Sequence, residues 1–447
     1  MRMQISGTKP NTVDGPSPFG AISDRCFYAY LAVILTVAFI LRFVLRLHSG
    51  SGDFWENGYT FFFDLAQNIA NGNGFALPGG APTSFRVPLY PIFLAAVSGG
   101  QKSFLAILIA QSAIGAGSVL CTALLAREMF DPFVGILAAF LTAIYPYYVE
   151  HDTALQETAL FTFLTILSVL LLMKTARTLS AAFAFAAGLA LAAAILTRAT
   201  LAPFALFALV WLSWVNRRAN GQWRTLRNSL ICLVATSTLL APWLVRSHAL
   251  TGAWTLGTEF GAAVWGGNNP GTFVFYPEKS IDLSRALAME SLSAEEKSEI
   301  STLDGNEVAV SDWFLKKGLD YIRDHPSETF FNGMRKNAAA FGWLPSPRHG
   351  FLPNLVHLLS YGPMMVLGLW GMWLSRRRWR THILIYGLFL SFVGITALLW
   401  AHTSHRAYLD VYLIIFAASG LDHTFRFRRL PPEVSIRRES RRTGIWV

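Results

Sequence analysis

Three carboxylates, Asp53, Glu56 and Asp64, follow the first apolar stretch of the chain. Arginines stand at the ends of apolar stretches elsewhere: Arg42, Arg46, Arg198, Arg246 and Arg406, the last preceded by His405. A carboxylate can take the proton from a hydroxyl about to act as a nucleophile. Guanidinium groups bind phosphate bidentately. Together the two sets suit transfer of a group from a phosphate to a hydroxyl, because phosphate departs as a stable anion and needs little assistance. Each residue alone has a plainer reading. An outer-loop acid is usually solvated, and an arginine at a helix end reaches to headgroups or pairs with a local acid. Asp152 and Glu157 flank the start of a later apolar stretch, where an acid complements the helix dipole. Glu157 already lies inside that run and is expected to face a cavity or a partner such as Arg198. Asn268 and Asn269 offer amides to sugar hydroxyls or serve a turn.

What positions these residues is a bilayer. Of 447 residues, 53% are hydrophobic and 14% charged, against about a quarter charged in soluble chains. A span needs about 20 apolar residues, somewhat fewer at the short end. Such runs cover Phe27–Leu47, Phe104–Ala126, Phe133–Tyr148, Leu155–Met173, Ser180–Leu196, Leu201–Val215, Asn228–Val245, Leu355–Leu374, Ile383–Trp400 and Tyr408–Leu421. The fold class expected is an all-α polytopic membrane protein of about ten transmembrane helices. The pair meeting at Thr197–Arg198 has a re-entrant hairpin as its alternative.

The net charge of +10 concentrates in alternate short connections: Arg127, then Lys174 and Arg177, then Arg217, Arg218, Arg224 and Arg227, then Arg376 to Arg378 with Arg380. A basic tail, Arg426 to Arg442, follows. That is the positive-inside pattern, with both termini cytoplasmic. It makes the tail a lipid-headgroup anchor rather than a nucleic-acid arm. The chain divides into a polar segment 1–26, a transmembrane module 27–245 with a first outer loop 48–103, a long outer loop 246–353, helices 354–423 and the tail 424–447. Cys26, Cys121 and Cys232 lack disulfide or metal spacing. No phosphate-binding glycine loop, zinc-binding His pair or serine-hydrolase elbow is present.

In the first outer loop, Phe62, Leu65, Ala66 and Ile69 recur at helical spacing from Tyr59 to Asn71, and Asn71-Gly72-Asn73-Gly74 stops the helix. This helix and the stretch Pro88–Val97 are expected at the membrane interface. The long outer loop reads as a small helical cap, with helices over Leu283–Leu292, Ala309–Arg323 and Glu328–Ala339 and a tight-turn cluster over 265–271. Tyr145, Tyr147, Tyr148, Trp243, Trp254 and Trp265 are expected mostly in the interfacial aromatic belt.

Several segments together resemble the GT-C superfamily of integral membrane glycosyltransferases, in the bacterial branch related to protein mannosyltransferases and the aminoarabinose lipid A transferase. They are Glu56-Asn57-Gly58-Tyr59 through Leu65-Ala66-Gln67-Asn68-Ile69-Ala70-Asn71-Gly72-Asn73-Gly74-Phe75, and Pro82-Thr83-Ser84 with Val87-Pro88-Leu89-Tyr90-Pro91. Tyr145-Pro146 with Glu157, Ala194-Ile195-Leu196-Thr197-Arg198 and Ala241-Pro242-Trp243-Leu244-Val245-Arg246 follow. Last come Trp265-Gly266-Gly267-Asn268-Asn269-Pro270, Asp324-His325-Pro326 and His405-Arg406-Ala407-Tyr408. Their collinear order from Ala38 to Leu421 carries the resemblance, since no single motif is specific.

The resemblance implies an outward-facing site between the first loop and the bundle, a polyprenyl-phosphate-linked sugar as donor, an acid in the first loop as catalyst, and inversion. By position the acid is Glu56, with Asp53 its close rival. Many members carry Asp where this chain has Tyr59 and Thr60, which keeps Asp64 in the set. Arg198, Arg246 and Arg406 become donor-phosphate or structural residues, with His405, Asn268 and Asn269 as further contacts and Asp152 and Glu157 as supporting acids. The acceptor would be a hydroxyl on a glycan, lipid or protein, and the expected location is a bacterial inner membrane. Three nearby acids leave room for a divalent metal, without a spacing that requires one. An O-antigen polymerase or ligase would rely instead on Arg246 or Arg348. A lipid-linked-sugar flippase would call for internal repeats or mid-membrane charges.

Overall fold

The computed structural model describes residues 22–56, 58–215, 222–274, 276–279, 282–342, 346–347, 350–400 and 403–428. The N-terminal segment to Ala21, Arg217, Arg218, Arg348 and the tail beyond residue 428 lie outside these.

The described chain is helical and contains no strand. It opens with α1 (Asp24–Glu56), α2 (Thr60–Ala70), α3 (Leu89–Ser98), α4 (Phe104–Met129), α5 (Pro132–Ile144), α6 (Pro146–His151) and α7 (Thr158–Thr178). Then come α8 (Ala181–Thr197), α9 (Ala202–Trp214), entered through the 3-10 turn Ala199–Leu201, and α10 (Gln222–Thr251). A cap of α11 (Phe260–Gly267), α12 (Asp282–Glu290), α13 (Ala294–Thr302), α14 (Glu307–Asp324) and α15 (Pro326–Phe341) precedes α16 (Phe351–Leu374), α17 (Trp379–Leu398) and α18 (Thr403–Arg428).

All the predicted spans coincide with helices. Among the described residues six segments are long and apolar enough to cross a membrane: α1, α4, α7, α10, α16 and Arg376–Leu398, which includes α17. The helices α5, α8 and α9 are apolar but shorter. The core runs between α4, α5, α7, α8, α9, α17 and α18. From Ala407 to Ala418 nearly every side chain of α18 is buried, as a helix that is hydrophobic all round requires.

The boundaries differ from expectation where local chemistry intervenes. The first helix does not end at Leu47 but continues to Glu56, broken at Gly50, whose φ of 86° is open to a residue without a Cβ. The run Phe133–Tyr148 is two helices. Asp131 caps α5 by accepting from the Val134 amide at 3.0 Å, and Tyr145, forced out of the helical region before Pro146, ends it. The next helix begins at Thr158 rather than Leu155. In the cap, Ser293 and Glu296 form a reciprocal capping box that starts α13, a helix the hydropathy pattern does not reveal. Residues 265–267, read as turn, close α11. The aromatic belt is also thinner than expected: Tyr145, Tyr148, Trp243 and Trp265 are buried, and Trp254 is exposed.

Candidate active site

The first outer loop and the cap meet at one end of the bundle. Tyr59 donates its amide to the Leu155 carbonyl at 3.0 Å, which sets the start of α2 beside the irregular segment 152–157. The stretch Thr83–Arg86 is held by several groups at once. Glu307 of α14 accepts from the Thr83 hydroxyl, from the Ser84 amide at 2.9 Å and from the Thr258 hydroxyl at 3.0 Å. Arg246 donates to the Thr83 carbonyl at 2.9 Å and to the Phe75 carbonyl at 2.7 Å, with its guanidinium over the Trp243 and Phe75 rings. Arg246 thus fastens the first loop to α10.

Between these elements lies a small pocket of about 50 Å³. Tyr59 and Phe62 form one side, Ser404 and His405 of α18 another, and Arg86, Gln156, Glu157 and Arg198 the floor. Arg198 and Glu157 pair at 2.7 Å with both side chains nearly buried. Arg86 pairs with Glu259 at 2.7 Å and covers the Phe62 ring. Burial opposes charge on Glu157, but Arg198 and then Arg86 outweigh it and hold the carboxyl below its usual value. Each guanidinium retains a buried N–H group without a hydrogen-bond partner, on Nη1 of Arg198 and Nε of Arg86. Buried donors of this kind are normally satisfied, so the floor of the pocket is suited to an anion that accepts several hydrogen bonds. Gln156 also donates to Nδ1 of His151 at 2.9 Å. Burial, then Arg46 and Arg406, push that imidazole down to about 4, so it stays neutral.

The first-loop acids divide. Asp53 pairs with Arg46 at 2.6 Å, and Arg46 also reaches Glu150 at 2.8 Å and the Thr153 hydroxyl at 3.2 Å. Glu56, at the exposed end of α1, has no hydrogen-bond or ion-pair partner among the described residues, and half-buried Asp64 on α2 has none either. Asp152 is engaged through one oxygen, Oδ2, while Oδ1 is buried without a hydrogen-bond partner among the described residues. Oδ2 accepts from Nε of Arg42 at 2.8 Å with both side chains buried, in space left by Gly115, where a Cβ would lie 2.5 Å from that nitrogen.

Other residues singled out from the sequence sit apart from the pocket. Arg406 is buried against Asp410 at 3.2 Å, donates to the Phe341 carbonyl at 2.6 Å and lies over the Tyr361 ring. Asn268 and Asn269 are buried in the turn after α11. Asn268 donates to the Leu398 carbonyl at 2.7 Å, and Asn269 caps its own turn by accepting from the Gly271 amide at 2.8 Å. Among the described residues no three His, Cys, Asp or Glu side chains gather as a metal site. Sequence reasoning missed Arg86, Asp410 and Lys336. Arg86 had a weak signal in its place immediately before Val87-Pro88, and Asp410 had one in its i,i+4 spacing from Arg406.

Residues 88–243, about a third of the chain, match the family model described as dolichyl-phosphate-mannose-protein mannosyltransferase. A sequence search of curated proteins finds no match. Among solved structures the chain is similar to the oligosaccharyltransferase AglB of Archaeoglobus fulgidus, in complex with an inhibitory peptide and a dolichol-phosphate. The TM-score is 0.53 at 15% identity, over 89% of this chain and 50% of that one. An Archaeoglobus fulgidus oligosaccharyltransferase tethered with an acceptor peptide gives 0.53 at 14%, over 93% and 52%. ArnT of Cupriavidus metallidurans bound to undecaprenyl phosphate gives 0.38 at 14%, over 91% and 81%. The chain thus spans about half the length of the oligosaccharyltransferases it matches. The fold is similar to that of the two oligosaccharyltransferase structures, and the family match is confined to residues 88–243.

Proposed function

We propose that this protein transfers a sugar from a polyprenyl-phosphate carrier to an acceptor hydroxyl, on the outer side of the bacterial inner membrane, with both termini cytoplasmic. The observation that carries this reading is the floor of the pocket, where two guanidiniums with unsatisfied buried donors flank a carboxylate locked in an ion pair. Oriented N–H groups at that position would hold the donor phosphate and stabilise it as it leaves. The same fold in AglB was seen with a dolichol-phosphate, a ligand of the same chemical class.

In this mechanism the acceptor hydroxyl gives its proton to a first-loop carboxylate as its oxygen attacks the anomeric carbon. The bond from that carbon to the phosphate oxygen breaks, and the phosphate keeps the electron pair beside Arg86 and Arg198. Attack opposite the leaving group inverts the anomeric centre. Glu157 is a poor base, since its guanidinium neighbours favour the charged form. Asp53 has one oxygen committed to Arg46. Glu56 stands uncommitted, three residues before Tyr59 of the pocket wall, and we assign it the role of base, with Asp53 next. Arg246 and Arg406 would act through position, the first on the loop and the second on α18.

Sugar transfer from a polyprenyl-phosphate donor, assayed in membranes for wild type, Glu56→Gln and Asp53→Asn, tests the assignment. Loss of a general base is expected to lower the rate of Glu56→Gln by roughly 100-fold or more, with a smaller loss for Asp53→Asn. Full activity in both variants would end this mechanism.

A further inference from the structure

The cap helix α15 carries an apolar surface with no protein against it. Its inward face, Asn332, Gly333, Lys336 and Ala340, is buried. On the opposite face Phe330, Phe331 and Met334 are 66%, 63% and 58% exposed. Exposed apolar clusters of this kind mark contact with a partner or a membrane.

The contacts of the buried face fix the level at which this helix lies. A Cβ on Gly333 would sit 3.3 Å from Ala397, Asn337 donates to the Val393 carbonyl at 3.2 Å, and the Phe341 ring meets Phe392. The helix therefore runs beside the last turns of α17, inside the span that ends at Leu398. From Ala397 to Val393 that is a descent of about 6 Å at 1.5 Å per residue, the depth of an interfacial helix. One turn further along the same face of α17, Leu390 is 72% exposed, as a lipid-facing residue would be.

We propose that α15 is seated in the membrane leaflet on the cap side, with Phe330, Phe331 and Met334 in contact with lipid. The occupant is bilayer rather than protein because the stripe lies above the lipid-facing surface of α17 and continues it. The seat bears on the pocket. Lys336 of α15 donates to the Leu399 carbonyl at 3.2 Å, and the Phe341 carbonyl accepts from Arg406. These two bonds hold α15 to both sides of the connection that delivers Ser404 and His405 to the pocket wall. Lipid contact thereby sets the height of that wall relative to the leaflet. This inference does not depend on the reaction assigned above.

The test is electron paramagnetic resonance of the full chain in lipid nanodiscs, with single nitroxide labels at Phe331→Cys or Met334→Cys after replacement of Cys26, Cys121 and Cys232 by Ser. A label at Glu299→Cys, on the exposed α13, serves as the aqueous reference. Collision rates with oxygen, which partitions into lipid, and with a water-soluble nickel chelate report the surroundings. The expected result is an oxygen-to-nickel ratio several-fold above the reference at both stripe positions. A ratio equal to the reference would mean the stripe faces water, and protection from both reagents would mean that protein covers it. Either result overturns the proposal.

Discussion

Arg42 and Asp152 are oppositely charged, fully buried and bonded to each other, and neither lines the pocket. Their value is conditional on both being present. Removing one partner of such a pair costs about 3–5 kcal/mol, because the other charge is stranded, whereas replacing both by apolar groups is often neutral. Arg42→Met and Asp152→Leu are each expected to lower stability by about that amount, and the double variant by less than either single one. Denaturant unfolding in detergent reads this directly, and additive losses would contradict it. The pair of Arg198 with Glu157 had a legible counterpart in the sequence, an acid inside an apolar run with an arginine at a helix end. Arg86 was not legible in that way. It stands in a loop between Phe85 and Val87, and only the fold brings it to the same floor. Asp410, one helical turn after Arg406, could have been found by i,i+4 spacing.

At the level of elements, α15 is held by a lysine that has no carboxylate partner among the described residues. Lys336 donates to the carbonyls of Gly267 and Leu399 and to Asn268, and burial lowers its pKa to about 8. An exposed lysine in the unfolded chain titrates near about 10.4. Between those two values the unfolded state binds more protons, so stability rises with pH. Below about 8 the cost of burying the charge is fully present. The melting temperature of wild type relative to Lys336→Met is therefore expected to climb from pH 7.5 to pH 10, in thermal scans of the detergent-solubilised protein. A difference that is flat with pH would show that the ammonium is not desolvated. Helix existence was largely legible because apolar run length is a strong signal. Breaks such as Gly50 and Tyr145-Pro146 depend on single residues inside otherwise uniform runs, and α13 has Ile300 as its one large apolar residue, so hydropathy missed them.

For the whole molecule, the proposed donor site makes a prediction that needs no knowledge of the sugar. A ligand that binds only the folded state stabilises it, by about 2.7 kcal/mol at 100 times its Kd. Undecaprenyl phosphate is expected to raise the melting temperature of wild type, uncharged polyprenol to do so much less, and Arg86→Ala/Arg198→Ala to respond to neither. Equal shifts in wild type and variant would place the phosphate elsewhere. The pocket was only partly legible in the sequence because its walls come from five separate stretches, at 59–62, 86, 156–157, 198 and 404–405. Periodicity reports what a residue does within its own helix. It carries no record of which distant helix ends converge.

That Ser404 and His405 belong to the last helix among the described residues has a consequence for biogenesis. A ribosome delivers the first-loop acids, Arg86, Glu157 and Arg198 long before α18 emerges, and until it inserts the cavity lacks a wall. The nascent chain would pass through most of its insertion without a competent donor site. A translation product stopped before Thr403 should reach the membrane yet gain no stability from the carrier lipid.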